Sequence, residues 1–97
     1  MKAKPLRMVD KTYVLCEKAK ATYLELNIPG WKSGRIVPIA RAGKSPNCWT
    51  WNGSIESPTL RPILRSNDGS MCRITGGWVE FLYDGFVSQP APLLEVK

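Results

Sequence analysis

Met71-Cys72-Arg73-Ile74-Thr75-Gly76-Gly77-Trp78-Val79-Glu80-Phe81-Leu82-Tyr83 reads as two strands joined by a two-residue glycine loop. Gly-Gly suits a hairpin turn whose central residues need positive φ. With that loop, Thr75 opposes Trp78, Ile74 opposes Val79, Arg73 opposes Glu80 and Cys72 opposes Phe81. Side chains alternate between faces along a strand, so Cys72, Ile74, Val79 and Phe81 share one apolar face, the core side. Arg73 and Glu80 meet on the other face as a cross-strand charge pair, stabilising by roughly a few tenths of a kcal/mol. Trp78 and Leu82 share that second face.

Outward from this hairpin, earlier strands are predicted at 12–15, 23–27, 35–39, 48–51 and 60–64. Asn67-Asp68-Gly69 is a turn signal between the last of these and the hairpin. Pro38 and Pro62 lack an N–H, which predicts that their strands lie at sheet edges or break there. Leu15, Ala19, Thr22 and Leu26 fall at helical spacing, whereas 23–27 alternates as a strand does. The reading is a short helix near 16–21 that yields to a strand. Segments 1–10 and 88–97 are expected to be extended or loosely ordered, the second because it holds Pro90 and Pro92. The fold expected is mainly β, a small antiparallel sheet or sandwich-like single domain spanning 1–97, with hairpin 71–83 and at most one short helix.

A chain of 97 residues is one small domain that buries roughly 60–68% of its unfolded surface. Apolar residues make up 43%, enough for a core and too many for disorder. The net charge of +6 is uneven: residues 1–44 hold ten Lys/Arg against three acids, and residues 45–97 hold four against five. A basic half points to an anionic partner, either nucleic acid or an acidic protein face, or simply to a solvated surface. Cys16, Cys48 and Cys72 are an odd, widely spaced set, unlike a secreted disulfide scaffold. No apolar segment follows the basic start and no run reaches membrane-spanning length, so the host cytoplasm is the expected compartment.

The chain has no histidine. That removes the commonest general base, the imidazole-dependent triads and most zinc sites. No Cys-x-x-Cys pair or dinucleotide-binding glycine motif is present. Gly43-Lys44-Ser45 resembles the end of a phosphate-binding loop, but Pro38 occupies the place of its upstream glycine. Glu80 and Asp84 share a strand face, yet Glu80 has Arg73 as a partner and Asp84 starts a turn before Gly85. Catalytic residues, metal ligands and cofactors are therefore not expected.

Binding chemistry is better represented. Trp49 and Trp51 lie two apart, so a strand puts both on one face, either in the core or on the surface. Asn52-Gly53 marks a turn after them. Arg61 and Arg65 share strand parity nearby, and Lys32, Arg35, Arg41 and Lys44 supply further positive charge. Aromatic rings interleaved with basic groups suit single-stranded nucleic acid, and Trp, Tyr and Arg also dominate protein interfaces. Trp49, Trp51, Asn52, Arg61, Arg65, Lys32, Arg35, Arg41 and Lys44 are the predicted partner-binding set.

Trp49-Thr-Trp51-Asn52-Gly53, Pro58-Thr59-Leu-Arg-Pro62, Cys72-Arg73 and Gly77-Trp-Val79-Glu-Phe81-Leu82-Tyr-Asp84 together resemble a family of small uncharacterised phage and prophage proteins often labelled "ammonia monooxygenase". Order and approximate spacing match over residues 21–96. Family members commonly carry Cys-Pro-Gly-Cys and several histidines that look like zinc ligands. Here Ile28-Pro29-Gly30-Trp31 and Cys72-Arg73 stand in those places, so the resemblance implies a phage origin with the ligand set lost. It further implies that Ile28 and Trp31 fill the vacated space with a hydrophobic contact. The function expected is that of a phage accessory protein that binds a host or phage protein, for instance to inhibit a host defence complex. The alternative is a basic nucleic-acid-binding module.

Overall fold

Alternating apolar side chains build the molecule into one sheet. The computed structural model describes residues 1–40, 47–83 and 86–97. Its strands are β1 (Ala3–Val9), β2 (Thr12–Leu15), β3 (Tyr23–Leu26), β4 (Arg35–Ala40), β5 (Trp49–Trp51), β6 (Leu60–Arg65), β7 (Met71–Thr75), β8 (Trp78–Tyr83), β9 (Phe86–Val87) and β10 (Ala91–Pro92). The order across the sheet is β10-β8-β7-β6-β5-β4-β3-β1-β2, with β9 also on β8. Only β4 and β5 run parallel among the described pairs. Of the two arrangements the sequence allows, this is the single sheet. The helical stretch shrinks to one 3-10 turn at Lys18–Lys20. No described helix is long and apolar enough to cross a membrane.

The β7–β8 register is the one the Gly76-Gly77 loop demands, from Thr75 opposite Trp78 to Cys72 opposite Phe81. The same inner face continues through neighbouring strands. Leu64 lies opposite Cys72, and Leu60 opposite Ile74. Leu24 lies between Pro5 and Val37, and Leu26 opposite Ala3. These residues, with Ile28, Ile39 and Leu93, form one buried core.

One buried face requires the sheet to curl. Strands β8 and β3 are five places apart, about 24 Å in a flat sheet. Yet consecutive amides bridge them: Leu93 N donates to Gly77 O (2.9 Å) and Leu94 N to Asn27 O (3.0 Å). Val96 N then reaches Met1 O, and the amides of Lys2 and Ala3 both donate to Ile55 O, each at 2.9 Å. The C-terminal segment thus closes the curl. Lys2 Nζ adds a bond to Leu93 O at 2.7 Å. Gly77 sits where β8 begins, with φ +84°, and a Cβ there would lie 3.3 Å from Glu56 O.

Three expectations are met only in part. Segment 1–10 is not loose, because β1 lies inside the sheet between β2 and β3 with Ala3 and Leu6 buried. Residues 88–92 are extended, as expected, but beyond them Leu93 and Val96 are buried, at 1% and 6% exposure. Strands β4 and β6 are internal, so the edge arm of the expectation fails, while the break occurs at Pro62 and not in the β3–β4 ladder at Pro38. Pro38 is tolerated because Ile39 N points to Thr22 O on the β3 side, so the Pro38 nitrogen faces the β5 side, where pairing begins only at Ile39. At Pro62 the β6–β7 ladder breaks between Leu60 and Leu64, as the missing N–H requires.

The β1–β2 turn carried no glycine signal. Asp10 and Lys11 occupy it with φ of 49° and 66°, both left-handed. This is the backbone of a tight hairpin turn that ordinarily selects Asn-Gly. A non-glycine residue there costs about 1 kcal/mol.

Leu93→Ala is expected to destabilise by about 2–5 kcal/mol in urea unfolding, whereas Leu94→Ala, at a site 52% exposed, stays within about 0.5 kcal/mol of wild type. Equal effects at both positions would mean that the tail does not close the core. Lys11→Gly is expected to stabilise by about 0.5–1 kcal/mol in the same assay.

Candidate partner-binding surface

Strand β5 sits between β4 and β6, and its register decides the tryptophans. Trp49 lies opposite Ile39, and Trp51 opposite Leu60, so both rings are on the core face. Both are half-buried and pack against the core. Their indole N–H groups serve the chain itself, Trp49 Nε1 donating to Ile63 O (3.2 Å) and Trp51 Nε1 to Ser54 O (2.9 Å). Asn52 organises the β5–β6 loop. Its Oδ1 accepts from the amides of Ser54 and Thr59, each at 3.1 Å, and its Nδ2 donates to Ser57 O at 3.0 Å. These three members of the predicted set therefore shape the core wall and its loop, and β5 presents no exposed aromatic pair.

The basic members fall in separate places. Arg61 projects from the outer face at the interruption in β6. Its Nη1 donates to the carbonyls of Leu60 and Ile74 and its Nη2 to Thr75 Oγ1, all at 2.8 Å. The guanidinium thereby supplies donors where Pro62 supplies none. Arg65 is exposed at the end of β6, opposite Met71. Lys32 and Arg35 line a cleft of about 410 Å³ between residues 30–35 and 66–68. The Arg35 guanidinium lies 5.9 Å from the centre of the Trp31 ring, a cation–π distance. Asp68 faces them across the cleft. Hydrogen bonds from the Ser66 hydroxyl and the Ser70 amide hold the Asp68 carboxyl at about 2. Arg41 and Lys44 lie outside the described residues.

Sequence reasoning gave too little weight to Trp78. It is 50% exposed on the outer face, in a shallow depression of about 470 Å³ lined by Thr75, Trp78, Glu80 and Pro90. Thr75, its cross-strand partner, is the residue that Arg61 Nη2 holds. Glu80 beside it is paired with Arg73, whose Nε and Nη2 both lie 3.2 Å from Glu80 Oε1. The hairpin register already pointed Trp78 outward; the Trp-x-Trp spacing could not say which face was exposed. Two further apolar groups are exposed. Met8, Tyr13 and Leu15 lie on the β1–β2 hairpin, and Tyr83 stacks on Phe86 with ring centres 5.2 Å apart.

Ile28, Trp31 and Cys72 belong to the apolar interior. Ile28 is buried and Trp31 packs against the core. The turn between them closes with Trp31 N on Ile28 O at 3.1 Å. Burial pushes the Cys72 thiol up to about 11, so it is a protonated core group at neutral pH. Among the described residues, no three Cys, Asp or Glu side chains gather as a metal site would need.

Asn52→Ala removes three loop hydrogen bonds and is expected to destabilise by about 1–3 kcal/mol in thermal unfolding. Because its folded pKa lies below the ordinary 3.8, Asp68 contributes stability above the ordinary value, and that contribution is lost as pH falls through about 2. Ser66→Ala should move the Asp68 carboxyl titration upward when followed by NMR; no movement would refute the hydrogen-bond cause.

No protein-family model, curated protein or solved structure matches this chain.

Proposed function

We propose that this chain is a non-enzymatic, phage-derived accessory protein that acts in the host cytoplasm by gripping a host or phage protein. Inhibition of a host defence or nucleic-acid-processing complex is the activity such a protein would serve in host takeover. The observation that carries the reading is Trp78, half-exposed on the outer face beside Thr75, which Arg61 fixes. Trp and Arg are the residues whose truncation costs most at protein interfaces. A guanidinium immobilised by three hydrogen bonds loses little entropy on docking. The rim is polar, with Glu80 and Arg73 already paired, as interface rims are.

Two further observations favour protein binding over catalysis or base stacking. The one core thiol is held protonated by burial, which removes it as a nucleophile. The Trp49 and Trp51 rings, which a single-stranded nucleic acid would stack on, face the core. A nucleic-acid reading retains one supporting feature, the cleft where Lys32, Arg35 and Trp31 meet.

A pull-down from host lysate, treated with nuclease and analysed by mass spectrometry, tests the proposal. A protein partner should survive nuclease, and Trp78→Ala should weaken its capture about tenfold or more while leaving the melting temperature nearly unchanged. Binding should weaken little between about 50 and 200 mM salt. Loss of every partner on nuclease treatment, or a salt dependence spanning several decades, would establish the nucleic-acid module instead.

A further inference from the structure

Strand β2 is the last in the sheet, with β1 as its only neighbour among the described residues. Its phase is fixed by Cys16 N, which donates to Pro5 O at 3.1 Å. Thr12 and Val14 therefore turn their backbone groups to β1, and Tyr13 and Leu15 turn theirs outward. Natural sheets blunt such edges with charge, proline or bulges. Thr12-Tyr13-Val14-Leu15 contains none of these. Instead it is made of β-branched, aromatic and aliphatic residues that favour pairing.

The surroundings specify what would pair. On the face away from Ala3 and Pro5, Tyr13 lies opposite the exposed Met8 and Leu15 opposite the buried Leu6. Leu15 is 60% exposed and Tyr13 41%, and the Tyr13 ring is steadied edge-on against Tyr23 at 5.1 Å. Residues 7–20 carry four Lys/Arg against two acids. Lys11 stands at the tip of the edge, in a left-handed conformation that glycine would adopt at lower cost. Its side chain, not its backbone, is what the position gains. A second copy of this chain would bring like charge to like charge across the edge, which disfavours self-pairing.

We infer that the outer edge of β2 receives an extended acidic segment of a partner protein as an added strand. The main-chain groups of Tyr13 and Leu15 supply its ladder bonds, Lys11 and Arg7 meet its carboxylates, and Tyr13, Leu15 and Met8 cover its apolar side chains. This surface is separate from the Trp78 depression, so either can fail without the other.

The probe is a terminally blocked heptapeptide of alternating glutamate and valine, with a lysine–valine peptide as control, titrated into 15N-labelled protein. The amides of Tyr13 and Leu15 should shift and become protected from exchange with the acidic peptide only. Leu15→Pro deletes an outward N–H and leaves the β1 ladder intact; it should weaken binding about tenfold or more. Leu15→Glu, a substitution at an exposed site, should do the same by repulsion and serves if the proline variant does not fold. Lys11→Gly should weaken binding severalfold while raising the melting temperature, and Trp78→Ala should leave it unchanged. Equal binding of the basic peptide, full binding by Leu15→Glu, or no binding at millimolar acidic peptide overturns the inference. So does a wild-type dimer in sedimentation that Leu15→Glu dissociates, since the occupant would then be a second copy.

Discussion

A single sheet in a chain this short has one face to hide and little else to hide it with. The constraint is met by curvature: β8 and β3 are brought together so that Gly77 O and Asn27 O accept from consecutive residues. Leu93 then seals the space within, where an ordinary small protein would place a helix. Gly77 belongs to the same closure, since its bare backbone lets Glu56 and Ser57 approach. Curling also separates the roles of the aromatics. Trp49 and Trp51 line the concave side and complete the core; Trp78 stands on the convex side and remains available.

Polar groups follow from the same geometry. Where Pro62 interrupts a ladder, Arg61 bends back and donates to the carbonyls of Leu60 and Ile74. Where the chain leaves β5, Asn52 ties together three points of a loop that has no ladder of its own. Side chains that look like surface recognition groups in the sequence are thus partly committed to the backbone. What is left over is an exposed indole, Trp78, next to a threonine that Arg61 already holds in place.

Much of the architecture was legible because period-two alternation and glycine turns are local signals. The β7–β8 register follows from Gly76-Gly77 alone, and strands β2 to β6 fall close to their predicted positions. Strand β1 was not legible because its turn is built from Asp10 and Lys11, whose left-handed backbone has no signature in residue type. The burial of Leu93 was hidden by Pro90 and Pro92, which indicate an extended chain but not what it crosses. The face of Trp49 and Trp51 was left open for a related reason. Trp49-x-Trp51 says that two rings share a face, while only the pairing with Ile39 and Leu60 says which face.

The three cysteines sit at different depths, Cys16 and Cys48 half-covered and Cys72 fully enclosed with its thiol held protonated. A cysteine sulfur attacks an alkylating reagent only when the reagent can reach it, so the two shallow sulfurs react on the timescale of local fluctuation. The third waits for the whole curl to open. Its modification rate is a built-in clock for the cooperative unfolding of the molecule, readable from the mass that alkylation adds.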